Sequence, residues 1–226
     1  MEIKIIYEDE GLLVVDKPAG VVITDIYPEL EKIHRLDKET SGVLLIAKNE
    51  KALLFFQKQF ADKTEGLEKK LQKRYIALVV GNVLDNDPPA GGRIETLIGR
   101  GKNDRKKQMV YFSHEPNIAG AREAITDFKI LERYDKYTLL EVFPKTGRKH
   151  QIRVHLAYLN HPIVGDKIYG FKNQPCPEGL DQHFLHAESI QIEMPNGETK
   201  EFHSELPESL KNIINKLNYE RSSNNN

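Results

Sequence analysis

The stretch His34-Arg35-Leu36-Asp37-Lys38-Glu39-Thr40-Ser41-Gly42-Val43-Leu44-Leu45-Ile46-Ala47 runs two opposed chemistries together without a break. Its second part, Val43 to Ala47, is a short continuous apolar run of the kind that buries as a strand on both faces. Its first part puts the charges of Arg35 and Asp37 in a loop beside that strand. An ionised carboxylate next to a core needs a partner or a task, because desolvating it alone is very costly. Loops carried on a rigid strand are also where functional groups concentrate.

Outward from this stretch, residues 3–8 and 12–16 read as strands, and Pro18-Ala19-Gly20 ends the second as a turn. Leu53, Phe56 and Phe60 recur at helical spacing over 51–62, and Arg74 to Val80 reads as a strand closed by Gly81. Asn82 to Gly92, with Pro88-Pro89 and Gly91-Gly92, is a loop; strands follow at 93–98, 123–132 and 137–143. A helix is expected from Arg148 to about Asn160, with Pro162 beyond it. Residues 171–183 read as loop, 187–194 as a strand and 207–219 as a helix. Strands come in runs rather than in strict alternation with helices. That predicts an α+β fold, a mixed, largely antiparallel sheet flanked by helices and loops. No composition shift marks a boundary, so residues 1–220 are expected as one domain, with 221–226 a disordered polar tail.

The 226 residues carry 39% hydrophobic and 30% charged side chains, a globular balance that excludes gross disorder. No apolar run reaches the roughly 20 residues that span a bilayer. The first residues enter a strand pattern without the parts of a signal peptide, and the single cysteine, Cys176, excludes an intrachain disulfide framework. A cytoplasmic protein with no membrane association is the expectation. The formal net charge is −1, so binding to nucleic acid would have to rest on local clusters. Two present themselves: Arg100, Lys102, Arg105, Lys106 and Lys107, and then Lys145, Arg148, Lys149 and Arg153. Taken alone, such a run is more often a solvated face than a binding site.

There is no phosphate-binding loop, no dinucleotide fingerprint and no nucleophile elbow. His150 and His155 lie five apart and would diverge on a helix, so they read as core or hydrogen-bonding groups instead of metal ligands. One further polar concentration stands out. In Lys145-Thr146-Gly147-Arg148-Lys149-His150-Gln151-Ile152-Arg153 a glycine turn leads into a helix rich in donors, suited to a phosphate or a carboxylate. From spacing alone, a structural salt bridge between this region and the Asp37 loop is as good a reading as catalysis.

His34-Arg35-Leu36-Asp37 with Thr40-Ser41-Gly42 resembles the signature of the RluA-type pseudouridine synthases, and the resemblance extends through most of the chain. Leu13-Val14-Val15-Asp16-Lys17-Pro18-Ala19-Gly20, Arg74-Tyr75-Ile76-Ala77-Leu78-Val79-Val80-Gly81 and Ala121-Arg122-Glu123-Ala124-Ile125-Thr126 match further blocks in order. So do Thr146-Gly147-Arg148-Lys149-His150-Gln151-Ile152-Arg153-Val154-His155, His161-Pro162-Ile163-Val164-Gly165-Asp166 and Leu185-His186-Ala187. The four-residue core alone would be weak; the ordered series is specific.

The resemblance implies isomerisation of uridine within RNA. The N1–C1′ bond breaks, the uracil turns over, and C5 bonds to C1′, with no cofactor and no metal. It makes Asp37 the nucleophile, attacking C1′ or C6, and Arg153 the basic partner that keeps a carboxylate ionised under a substrate. Tyr75 matches the tyrosine that stacks on the target uracil and is a candidate for removing the C5 proton. Arg35 would help extrude the nucleotide and fill the gap, since unstacking costs a few kcal/mol. Ile152 would contribute to an apolar pocket floor. Arg148 and Lys149 are candidate RNA contacts, although Arg148, with His150 and Gln151, could serve only to hold the loop.

Two departures bear on the substrate. The sequence enters the catalytic block at once, so the small S4-type RNA-binding module common among relatives is expected to be absent, and Val22 to Ile33 is shorter than usual. The expected partner is ribosomal or transfer RNA, bound by a monomer at a loop whose bases splay out easily. Two rival readings exist. One is a catalytically idle RNA-binding or assembly factor on the same fold, against which the complete set of Asp37, Tyr75 and Arg153 speaks. The other is a nucleoside or glycoside hydrolase, which ordinarily needs two flanking carboxylates; only Glu39, beside Lys38, accompanies Asp37.

Overall fold

The computed structural model describes residues 3–61, 71–84, 92–101, 104, 107–112 and 120–224. In chain order its elements begin β1 (Lys4–Glu8), β2 (Leu12–Lys17), a 3₁₀ turn (Ile23–Asp25), β3 (Glu31–Lys32), β4 (Ser41–Ala47), α1 (Glu50–Ala61) and β5 (Gln72–Val80). They continue with β6 (Arg93–Arg100), β7 (Gln108–Tyr111), β8 (Arg122–Arg133), β9 (Tyr137–Pro144), α2 (Gln151–Tyr158), β10 (Leu185–Glu193), β11 (Thr199–His203) and α3 (Glu208–Asn224). The α+β class holds. The chain forms two compact units, Met1–Tyr75 with His186–Pro207, and Ile76–Leu185 with Glu208–Asn226. The division falls inside β5, where no change of composition signals it.

In the first unit β4 is the centre, and all seven of its residues are buried. It pairs antiparallel with β2 from Leu12↔Ala47 to Lys17↔Gly42. Its other edge is shared: β3 takes Ile46 and Ala47, antiparallel, while β10 takes Ser41 and Gly42, parallel. The sheet is therefore mixed. Alternation sends Val43, Leu45 and Ala47 to one face, against Phe56 and Ala52 of α1. Leu44 and Ile46 go to the other, with Leu13, Val15 and Ile23. A strand buried on both faces has the continuous apolar sequence seen here.

In the second unit β9, β8, β6 and β7 form an antiparallel run. Helix α2 lies against it through Val154, which packs with Ile98 and Ala124. The helix starts at Gln151, three residues later than expected, because His150 adopts a left-handed conformation (φ 55°) that no helix continues. It stops at Tyr158: Asn160 is left-handed (φ 63°), and the His161 amide bonds the Leu156 carbonyl. Helix α3 runs through Asn224, so Arg221 to Asn224 are helical where a disordered tail was expected, and Asn225 and Asn226 lie outside the described residues. Three strands carry weak sequence signals. Two-residue β3 and four-residue β7 are too short to show a period. Polar β11 forms a hairpin with β10 whose Asn196-Gly197 turn was the available signal.

Candidate active site

Asp37 sits at the head of a tight turn closed by the Thr40 amide on its carbonyl at 3.1 Å. The side chain is half-buried, whereas Arg35 and Lys38 on either side are exposed. Three anchors fix the loop. Leu36 packs into the cluster of Leu13, Val15, Leu44 and Ile46. The second anchor is Lys17, only 2% exposed. Its Nζ donates to the carbonyls of Pro18 (2.9 Å), Val21 (3.1 Å) and Lys38 (2.9 Å), tying the β2 turn to the residue after Asp37. Burial pulls this ammonium down to about 8, against the opposing pull of Glu39 and Asp37.

The third anchor is His34. Between β3 and β10 the edge of β4 lacks a neighbouring strand, and there the Leu45 amide donates to Nε2 of His34 at 3.1 Å. The ring stands in for the missing strand. It also stacks on Phe60 of α1, centroids 5.0 Å apart and planes 13° from parallel. Burial, with the nearby charge of Lys73, pushes this histidine down to about 3, so it stays a neutral acceptor.

Where β4 begins, Ser41 Oγ meets His186 Nδ1 at 2.9 Å, and His186 Nε2 meets the Ser204 carbonyl at 3.0 Å. A carbonyl only accepts, so Nε2 carries the proton and Nδ1 accepts from the serine. Ser204 Oγ in turn donates to Asp16 at 2.8 Å. Next to Ser41, Gly42 (φ +115°) lies so close to β10 that an added Cβ would stand 2.1 Å from the Ala187 carbonyl oxygen. Any side chain there would force the parallel pair apart.

Tyr75, on β5, is a buried neighbour of Asp37 in the same unit. Its phenol is raised above the usual range, first by burial and then by the negative charge of Asp37. In the free protein it is therefore a neutral phenol.

The second unit contains the remaining candidates. Arg153, 5% exposed, donates from Nε and Nη2 to the two oxygens of Asp166 at 2.7 and 2.9 Å, and lies 5.1 Å from the Tyr169 ring centre. Burial pushes Asp166 up, but the bonds and charge of Arg153 and the amides of Ile168 and Tyr169 outweigh it, leaving the carboxyl below its ordinary range. Arg153 thus does not belong to a solvated basic run. Ile152 is buried, Arg148 half-buried and Lys149 exposed. Gln151 organises the loop before α2: its Oε1 accepts from Thr146 Oγ1 (2.6 Å) and the Arg148 amide (2.9 Å), and its Nε2 donates to the Ile125 carbonyl and Thr126 Oγ1, both at 2.9 Å. His155 is fully buried between Thr96 and Thr126, at 3.0 and 2.8 Å, and burial lowers it to about 4. His150 Nδ1 meets the Tyr169 hydroxyl at 2.8 Å. Both histidines are the hydrogen-bonding groups the spacing predicted. In the other basic run, Lys102, Arg105 and Lys106 lie outside the described residues.

The sequence pattern of the RNA pseudouridylate synthase family matches residues 11–158. The chain belongs to this family. It is 36% identical over 256 residues to ribosomal large subunit pseudouridine synthase C of Pasteurella multocida, covering 99% of this chain and 71% of that protein. It is 33% identical over 250 residues to ribosomal large subunit pseudouridine synthase D of Neisseria meningitidis, covering 97% of this chain and 62% of that one. Among solved structures, human RNA pseudouridylate synthase domain containing 1 superposes with a TM-score of 0.74 at 26% identity, over 94% of this chain and 87% of that one. The protein is an RNA pseudouridine synthase by family and by fold.

For a pseudouridine synthase, the structure brings Asp37 and Tyr75 together in one unit and sets Arg153, Ile152, Arg148 and Lys149 in the other. Sequence reasoning gave no role to Lys17, His186 or Asp166, although each stands inside a quoted block. Lys17 stands three residues before Gly20, but the linear sequence does not show that it is buried. Nothing in the linear sequence pairs His186 with Ser41, 145 positions away.

The buried histidines make acid stability predictable. Folded His34 and His155 titrate near 3 and 4, below the 6.5 of an unfolded histidine, and His186 is also lowered by burial. Below pH 6.5 the unfolded chain takes up protons that the folded chain refuses, so stability is complete above that pH and falls as pH drops. At pH 5 the loss is on the order of 2 kcal/mol for the fully buried His155, and less for the half-buried His34, whose shift solvent screens in part. Thermal denaturation should show Tm lower by about 10 °C at pH 5 than at pH 7.5. A flat profile over that range would contradict neutral burial of both rings.

Among the described residues, no helix is long and apolar enough to cross a membrane.

Proposed function

We propose that this chain converts uridines of ribosomal RNA to pseudouridine with Asp37 as nucleophile, as a cytoplasmic monomer whose catalytic segment is residues 1–220. Transfer RNA is the second substrate class to test. The observation that carries this reading is the placing of Asp37, on a loop anchored by Lys17, His34 and Leu36, beside the buried phenol of Tyr75. The names of the bacterial relatives support ribosomal RNA as substrate.

In this reading the Asp37 carboxylate attacks the nucleoside at C1′ or C6, the N1–C1′ bond opens, and C5 of the turned uracil bonds to C1′. The bond to Asp37 breaks again, C5 gives up its proton and N1 takes one up, so the enzyme is returned unchanged. Tyr75 supplies a flat face for the base. As a neutral phenol it can take the C5 proton only by passing its own proton on, so stacking is its first role. Arg153, paired with Asp166, takes the part of the basic partner on the resemblance alone. Exposed Arg35 fills the gap left by the flipped nucleotide, Ile152 contributes to the apolar floor, and Arg148 and Lys149 contact the RNA.

Mapping pseudouridines across total RNA of a strain lacking the gene tests this directly. At least one ribosomal position should lose its modification and regain it when the gene is restored. A map identical to the parent's would leave the chain as an RNA-binding or assembly factor without catalysis.

A further inference from the structure

We propose that Arg122 and Arg148 together grip one backbone phosphate of the RNA substrate. The inference rests on the RNA-modifying reading above and adds Arg122 to the residues that touch RNA. Along β8, Ala124 and Thr126 face α2: Ala124 packs with Val154, and Thr126 bonds Gln151 and His155. Arg122, two residues earlier, projects from the same face at the first position of the strand and is exposed.

Arg148 is brought to the same place by its own bonds. Its Nε donates to the carbonyl of Glu123, the residue after Arg122, at 2.8 Å. The loop that carries it is pinned to β8 by the Lys145 amide on the Ile125 carbonyl (2.9 Å) and the Ile125 amide on Thr146 Oγ1 (3.0 Å). With Nε occupied, the Nη groups of Arg148 have no protein acceptor among the described residues.

The charges explain why a ligand is called for. Several other cations of this unit have carboxylates: Arg153 has Asp166, Arg93 and Lys145 share Asp127, and Arg221 has Glu132. Neither Arg122 nor Arg148 has a carboxylate within ion-pair distance among the described residues. Burial and then the like charge of Arg122 lower Arg148, and the Glu123 carboxylate only partly opposes them. Two guanidiniums held side by side repel, and a phosphate relieves this by accepting N–H bonds from both. Such contacts set the register of an RNA without reading its sequence.

The test uses large-subunit ribosomal RNA transcribed in vitro, with Kd measured across a salt series and pseudouridine formation measured on the same transcript. Arg122→Gln should weaken binding about 5- to 10-fold, raise KM in parallel, and leave kcat at saturating RNA within about threefold. Arg122→Lys should recover part of the loss, and Lys51→Gln on α1 should change nothing. The salt slope of the Arg122→Gln/Arg148→Gln double variant should fall by about one phosphate equivalent, because both side chains serve one group. A fall of about two would overturn the shared grip, and an unchanged Kd and slope for Arg122→Gln would overturn the site. A wild type that binds the transcript but forms no pseudouridine would instead count against the functional reading. The binding arm would still decide the phosphate site.

Discussion

Asp37→Asn is expected to abolish pseudouridine formation, lowering the single-turnover rate by roughly 10⁴-fold or more, as losing a nucleophile does in covalent catalysis. The substitution is close to isosteric and leaves the structural features of the loop in place. The turn is closed by the backbone carbonyl of residue 37, and Lys17, His34 and Leu36 do not use its side chain as an anchor. Binding of ribosomal RNA should accordingly stay within about threefold of wild type, and Tm within a few degrees. One spectroscopic change should accompany the loss: without the carboxylate charge the Tyr75 phenol should titrate at lower pH than in the wild type, since that charge is one of the two causes that raise it. Rescue of a deletion strain with Asp37→Asn should leave the lost ribosomal position unmodified. Full modification by that variant would sink the proposed mechanism.

Lys17→Met is expected to cost on the order of 3 kcal/mol and to lower Tm by about 6 to 12 °C, with activity falling further than folding alone explains. Methionine fills nearly the same volume, so packing changes little. What disappears is a charged donor satisfying three carbonyls at once, each bond worth about 1.5–3 kcal/mol when the donor is ionised. The Lys38 carbonyl keeps the Gly20 amide, but those of Pro18 and Val21 lose the Lys17 ammonium. Because Lys38 follows Asp37 directly, the proposed nucleophile is released along with the anchor. A folded variant should thus show reduced kcat at saturating RNA. Wild-type kcat in that variant would mean the anchor supports the fold and not the site.

Much of this was legible in the linear sequence, for reasons that differ by element. The buried β4 and the helix α1 announced themselves through apolar pattern, because their environment is set by short-range periodicity. Asp37, Tyr75 and Arg153 came from motif resemblance, and composition alone left catalysis and a structural salt bridge level. The start of α2 was misplaced because the left-handed backbone of His150 is a tertiary demand, imposed by Gln151 and Tyr169, that helix propensity does not encode. The anchors Lys17, His34 and His186 were invisible as anchors, since each works through a partner brought in by folding.

The parallel pairing of Ser41 and Gly42 with His186 and Ala187 also sets a schedule for synthesis. The chain emerges from its N-terminus, and the segment that seats the base of the Asp37 loop arrives only after all of Ile76–Leu185 has been made. Contacts so far apart in sequence form late, because the intervening chain must first be ordered or spanned. A nascent chain thus carries the Asp37 carboxylate on a half-built strand edge until His186 and Ala187 have been made.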